Sequence, residues 1–240
     1  MITSPQNEKL KLVRKLRDRK HREREGLFAT EGEDLLQAGL AAGAEPRFVL
    51  VAAAAGTEDL GGAEQVEPDL LADVSSLGSG TRAIAVWPLH WAGQPAAPCL
   101  YLHGVADPGN VGTIVRSVDV LLGGSVVLGP DCADPYSPKA VRATMGSIFA
   151  QPPARAQIGA TPEPRVALVA HGGASLDALH GAATLCLGAE REGLPDTVLA
   201  KCQARATIPL RSGAESLNVA AAAAIAAQRI SSASHAGGQT

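Results

Sequence analysis

Hydrophobic and polar positions follow two regimes along the chain. In residues 5–23, Leu12, Val13 and Leu16 recur on one side of an otherwise charged stretch, the spacing of an amphipathic helix. Ser4 and Pro5 read as its N-cap and first-turn proline, and Gly26 as its stop. Residues 32–42 read as a second helix carrying Leu35, Leu36 and Leu40 and closed by Gly43. Residues 48–52 form an apolar strand, and further helix and strand end in a strand at 82–87. Residues 88–98 hold Pro88, Gly93, Pro95 and Pro98 without periodicity and mark a domain boundary.

Beyond that boundary strand and helix alternate. An apolar strand at 99–105 precedes a helix at 111–122, where Val111, Ile114, Val115 and Val118 keep helical spacing. Gly123 and Gly124 turn the chain into a strand at 126–128, and a strand–helix–strand unit implies parallel pairing. Strands at 166–170, 184–187 and 206–210 follow, with a short helix at 176–179. The Ala-rich stretch 218–230 predicts a long helix, and 231–240 a loose polar tail. The fold class is therefore α/β with a mainly parallel sheet. The expected organisation is a domain at 1–90, a linker at 91–98, a larger domain at 99–234 and a flexible tail at 235–240.

Composition narrows the function classes. With 46% hydrophobic and 19% charged residues, the 240-residue chain is ordinary for a globular protein. No apolar run is long enough to span a membrane and residues 1–5 lead into charge rather than a signal-peptide core, so a cytoplasmic location without membrane association is expected. Cys99, Cys132, Cys186 and Cys202 lack metal-ligand spacing, as do the six histidines; reduced core thiols and no metal are expected. The net charge is −3, but residues 8–25 carry nine Lys/Arg against four acids, a local +5 on a body of −8. Such a patch suits a polyanion partner, and equally a solvated helix face.

Ligands of open α/β sheets bind beyond the carboxyl ends of strands. Three such ends here lead into glycine and polar side chains: 106–112, 188–195 and 211–218. Glycine lets backbone approach a ligand closely, while Asn110 and Ser216 are also good helix N-caps. No dinucleotide or P-loop glycine pattern is present. His171-Gly172-Gly173 is similar to an esterase oxyanion loop, but no GxSxG nucleophile motif accompanies it.

These segments carry a family resemblance. Residues 107–116 (DPGNVGTIVR) resemble motif 1 of the SpoU (TrmH-like) RNA 2′-O-ribose methyltransferases. Residues 187–195 (LGAEREGLP) resemble motif 2, and 208–219 (IPLRSGAESLNV) motif 3. Residues 136–146 (YSPKAVRATMG) are also similar to a stretch those enzymes carry, and the N-terminal segment resembles their L30e-like substrate-binding domain. The resemblance implies a SPOUT-type sheet with a C-terminal deep trefoil knot behind a small L30e-like α/β domain. It also implies S-adenosylmethionine as cofactor, a homodimer, and RNA as substrate, 23S rRNA ahead of tRNA. A tRNA methyltransferase and a non-catalytic RNA-binding relative remain alternatives.

By the same resemblance Arg116, Asn110, Glu190, Ser216 and Asn218 form the catalytic set. Leu187, Gly188, Ile208, Leu210 and Leu217, with Ala170 and His171 as a further wall, hold the cofactor. Arg14, Lys15, Arg17, Lys20, Arg22, Lys139 and Arg142 are the RNA-contacting cations. Two roles stay open for Arg116. The family offers it as a base, whereas a guanidinium is effectively always protonated and suits clamping a phosphate or a developing alkoxide. With only seven aromatic residues, extensive base stacking is not expected; shape, phosphate and 2′-hydroxyl contacts dominate.

Overall fold

The computed structural model describes residues 1–53, 62–76, 80–179, 182–212 and 215–236. It divides into two compact units, Met1–His90 with Tyr136–Phe149, and Trp91–Pro135 with Ala150–Thr240. In chain order the first unit contributes α1 (Glu8–Lys15), α2 (Arg19–Glu25), β1 (Leu27–Glu31), α3 (Glu33–Ala41), β2 (Phe48–Ala52), β3 (Glu64–Val66), α4 (Pro68–Val74) and β4 (Ala83–Pro88). The second unit begins with β5 (Cys99–Leu102), α5 (Pro108–Leu122) and β6 (Ser125–Leu128). The chain then returns to the first unit for α6 (Pro138–Thr144) and α7 (Ser147–Ala150), the latter ending at the boundary. The rest is β7 (Ala154–Arg155), β8 (Arg165–Leu168), β9 (Thr184–Leu187), α8 (Asp196–Leu199), β10 (Ala204–Ala206) and α9 (Val219–Ala236).

The first unit is a four-stranded sheet in the order β1-β4-β2-β3, antiparallel except for β2–β3. Leu10, Val13 and Leu16 of the first helical segment join Leu50, Val66, Leu71, Ile84 and Val86 in its core. The expected single helix is in fact two. Its apolar stripe ends at Leu16, and residues 17–26 hold no apolar side chain to extend it. Asp18, extended at φ −88° and ψ 132°, starts α2 instead. The N-cap is Asn7, whose side chain accepts from Lys9 N at 2.9 Å; Ser4 closes the preceding turn. That shift follows from Ile2, which is buried and bridged to Val66, so the first residues run along β3. Gly26 ends α2 in the left-handed conformation, as expected.

The second unit is a six-stranded sheet, β10-β8-β9-β5-β6-β7, parallel throughout. Strands β5 and β9 are buried at every residue, which explains why they read as unbroken apolar runs rather than as alternation. Helices α5 and α9 cover one face. Val111, Ile114, Val115 and Val118 meet Ala220, Ala223, Ala226 and Ile230 there, the alanines permitting close approach. The tail expected to be loose from residue 231 continues as helix to Ala236, and 237–240 lie outside the described residues. The last strand is 204–206, not 206–210, and residues 207–210 run on as loop.

The first strand of this unit, β5, has β6 on one side and β9 on the other. The strand order therefore reverses between β5 and β9, and a crevice opens at their carboxyl ends. No described helix is long and apolar enough to cross a membrane.

Candidate functional site

Strands β5 and β9 deliver the 103–110 and 188–195 loops to that crevice, and the chain after β10 delivers the third segment. Gly188 is required where it stands: a Cβ there would lie 2.1–2.4 Å from the backbone of Gly193 and Leu194. Ala189 and Gly193 exchange two backbone hydrogen bonds of 3.1 and 2.9 Å, so 189–193 is a tight loop, with Gly193 at φ 69°. Glu190, Arg191 and Glu192 stand exposed at its tip.

Glu190 is the junction of the three segments. Its Oε1 accepts from Asn110 Nδ2 at 2.6 Å and from Asn218 Nδ2 at 3.2 Å. Asn218 Nδ2 also donates to Asn110 Oδ1 at 3.2 Å. Each asparagine is oriented by a helix start. Asn218 Oδ1 accepts from Ala220 N (2.9 Å) and Ala221 N (3.3 Å), capping α9 and turning its amide nitrogen toward Glu190. Asp107 accepts from Asn110 N at 3.0 Å and caps α5. The carboxylate therefore lies where two long helices begin, the end of each macrodipole that favours negative charge.

A cleft of about 350 Å³ opens beside this network. Ala170, Leu187, Gly188, Ile208, Leu210 and Leu217 line it, all positions assigned to the cofactor on sequence; His171 does not. Glu190 and Ser216 of the polar set reach its wall, while Asn110 and Asn218 touch it through Glu190. The backbone amides of Ile208, Leu210 and Leu217 make no hydrogen bond to another described residue. An apolar slot edged by free amides and by the charged side chains of Glu190, Arg191 and Glu192 suits a heteroaromatic group with a polar tail. Gly213 and Ala214, inside the third motif, lie outside the described residues.

Sequence reasoning missed part of the wall. Val219 and Ala222, spaced i, i+3 at the start of α9, and Leu168 and Val169 at the end of β8 also line the cleft. Their strand-end and helix-start positions were the available signal.

Arg116 does not line this cleft. It is exposed on α5, with no ion pair or hydrogen bond among the described residues, and Val120 one turn on is 71% exposed. The predicted RNA-contacting cations divide. Lys15, Arg17 and Lys20 are exposed and Arg14 half-buried, its Nη1 donating to Pro5 O at 3.1 Å. Arg22 is a correction: it is 3% exposed, and its Nη1 donates to Leu16 O (2.7 Å) and Arg17 O (2.6 Å), satisfying carbonyls freed by the break between α1 and α2. Lys139 and Arg142 lie on α6 in the first unit, where Arg142 pairs at 4.0 Å with Glu31.

The four cysteines are free. Burial pushes the Cys99 and Cys132 thiols up, away from nucleophilic form. Burial also raises the Tyr101 phenol to about 12. Among the described residues no group of His, Cys, Asp and Glu is placed to hold a metal.

Known proteins bear out the resemblance. Residues 97–228 match the model of the SpoU rRNA Methylase family, and residues 7–78 that of the MRM3-like substrate binding domain. The chain is 31% identical over 242 residues to the 23S rRNA (guanosine(2553)-2′-O)-methyltransferase RlmP of Bacillus subtilis, covering 93% of this chain and 96% of that one. A solved structure of a putative RNA methyltransferase of the TrmH family from Porphyromonas gingivalis is 32% identical, with a TM-score of 0.81 over 95% of this chain and 98% of that one. The AdoMet-bound rRNA methyltransferase from Sinorhizobium meliloti is 28% identical, with a TM-score of 0.83 over 95% of both chains.

Proposed function

The chain belongs to the SpoU rRNA Methylase family, and from that premise we propose that it methylates a ribose 2′-hydroxyl of 23S rRNA, using S-adenosylmethionine. The observation that carries this is the hydrogen-bonded junction of Asn110, Glu190 and Asn218 at the mouth of an apolar cleft. When bound, the cofactor supplies an electrophilic sulfonium methyl. The residues fit it: Leu187, Ile208, Leu210 and Leu217 would hold it, through apolar side chains and through the backbone amides that the last three leave unbonded. The Asn110–Glu190–Asn218 network holds the 188–195 loop against the starts of α5 and α9, fixing the cleft before substrate arrives.

Arg116 acts as an electrostatic clamp. A guanidinium donates five hydrogen bonds and keeps its charge, which suits a backbone phosphate next to the reacting ribose and the oxyanion forming at its 2′-oxygen. Its absence from its own chain's cleft lining, together with exposed Val120 and Ile225 on the packed pair α5 and α9, supports a homodimer in which Arg116 serves the partner's cleft. A knotted C-terminal segment fits the passage of 173–174 against 205–207, where a Cβ on Gly173 would come within 2.5 Å of Ala206 backbone. The exposed cations Lys15 at the end of α1, Arg17 in the turn after it and Lys20 on α2 supply phosphate contacts, and a cytoplasmic location goes with that substrate.

Mapping ribose methylation across 23S rRNA from cells with and without the gene tests this reading. One nucleotide should lose its 2′-O-methyl group in the deletion and regain it on complementation. An unchanged rRNA map with a lost tRNA methylation would move the substrate to tRNA.

A further inference from the structure

Four of the seven aromatic side chains, Phe28, Trp87, Tyr136 and Phe149, gather in the first unit around a cavity of about 390 Å³. Composition alone argued against base stacking, but these rings are concentrated in one place. Trp87 meets Phe149 edge-on at 4.7 Å, and Phe28 lies 4.9 Å from Tyr136 and 5.8 Å from Phe149. Each polar ring atom has a partner in the framework: Trp87 Nε1 donates to Thr30 Oγ1 at 2.9 Å and Tyr136 Oη to His90 O. Gly39 makes room for this cluster, since a Cβ there would lie 2.6 Å from the Trp87 ring and 3.0 Å from Phe149. Phe28, Trp87 and Tyr136 are buried and form a fixed floor, while Phe149 is half-buried and lines the cavity.

The rim carries one carboxylate. Glu45 lines the cavity, is exposed, and has no hydrogen bond or ion pair among the described residues. A carboxylate repels phosphate, so its place in a unit that matches a substrate-binding family calls for donors to face it.

We propose that this cavity holds one guanine of the RNA substrate, stacked on Phe149 with its N1–H and N2–H edge donating to Glu45. The inference rests on the RNA methyltransferase reading above. Guanine presents two adjacent donors that match the two oxygens of a carboxylate, whereas uracil flanks its single donor with carbonyl oxygens that repel it. The volume accommodates a base and part of its ribose. The base held here is distinct from the reacting ribose, which the residues of the second unit serve.

The test uses the full chain with Trp91→Phe, leaving Trp87 as the one tryptophan. Pentanucleotides UUGUU, UUAUU and UUUUU are titrated against its fluorescence, with RNA affinity and melting temperature measured alongside. UUGUU should quench Trp87 with at least fivefold higher affinity than the others. Glu45→Gln should abolish that preference. Phe149→Leu should weaken all three about tenfold, the scale of one lost base–aromatic stack, with S-adenosylmethionine binding unchanged. Equal responses to the three oligonucleotides, or an unaltered preference in Glu45→Gln, a surface change that leaves the fold intact, would overturn the proposal. So would dissociation of a dimer in Phe149→Leu, which would assign the cavity to a second copy. RNA that is bound and methylated while Trp87 stays silent sinks the guanine site alone; failure to methylate any RNA sinks the broader reading, and the oligonucleotide titration still decides the cavity.

Discussion

Asn218 performs two tasks with one amide. Its oxygen caps α9 and its nitrogen reaches Glu190 and Asn110, so helix start and site geometry are set by the same side chain. Gly188 is a comparable single point: a methyl group there collides with backbone rather than with a movable side chain. Gly188→Ala should weaken S-adenosylmethionine binding by tenfold or more in calorimetry while RNA binding through the first unit persists; unchanged cofactor affinity would remove the loop from the cofactor site. Arg22 makes the opposite case. Arg22→Ala leaves the buried carbonyl of Leu16 and the part-buried carbonyl of Arg17 without this donor and should cost about 1–3 kcal/mol in denaturant unfolding. Lys20→Ala, fully on the surface, should leave stability alone and flatten the salt dependence of RNA binding by about one unit of slope. The turns that carry the polar set and the glycines were legible because strand ends and helix starts can be read from hydrophobic period; which of their residues belong to a site came from the family resemblance. Arg22 was not legible, since its burial follows from a helix break that a run of charges does not signal.

Among the elements, periodicity located α5, β9 and most of α9 closely, because each is long, buried or strongly patterned, while β5 spans only 99–102 of the expected 99–105. It failed where the deciding interaction is distant in sequence. The first helix splits at the end of its apolar stripe, and β10 stops at Ala206 where its pairing with β8 ends. Segment 136–149 reads by sequence as part of the larger domain, yet α6 packs with β1. Helices α5 and α9 carry the prediction that belongs here. Arg116 and Val120 stand one turn apart on an exposed face, with Ile225 exposed on the neighbouring helix. Val120→Glu should shift the chain to monomer in sedimentation velocity and lower methyl transfer at least a hundredfold, without lowering the melting temperature of the fold. A fully active monomer would show that each cleft is served by its own Arg116.

Over the whole molecule, strand order does what no single motif can. Reversal between β5 and β9 brings segments up to 108 residues apart into hydrogen-bond contact, which explains why three ordinary-looking turns form one site. The exposed cations of 15–20 and the aromatic cavity lie in one unit, the cleft in the other. Methyl transfer to a ribose oxygen leaves a chemical mark, because a 2′-O-methyl group blocks alkaline cleavage of the adjoining phosphodiester. Purified chain should be incubated with S-adenosylmethionine labelled in its methyl group and with 23S rRNA from cells lacking the gene, and the RNA then hydrolysed in alkali. Label should appear in alkali-resistant dinucleotides, reduced at least a thousandfold by Arg116→Ala. Label released in mononucleotides, or transfer undiminished in Arg116→Ala, would contradict ribose methylation served by Arg116.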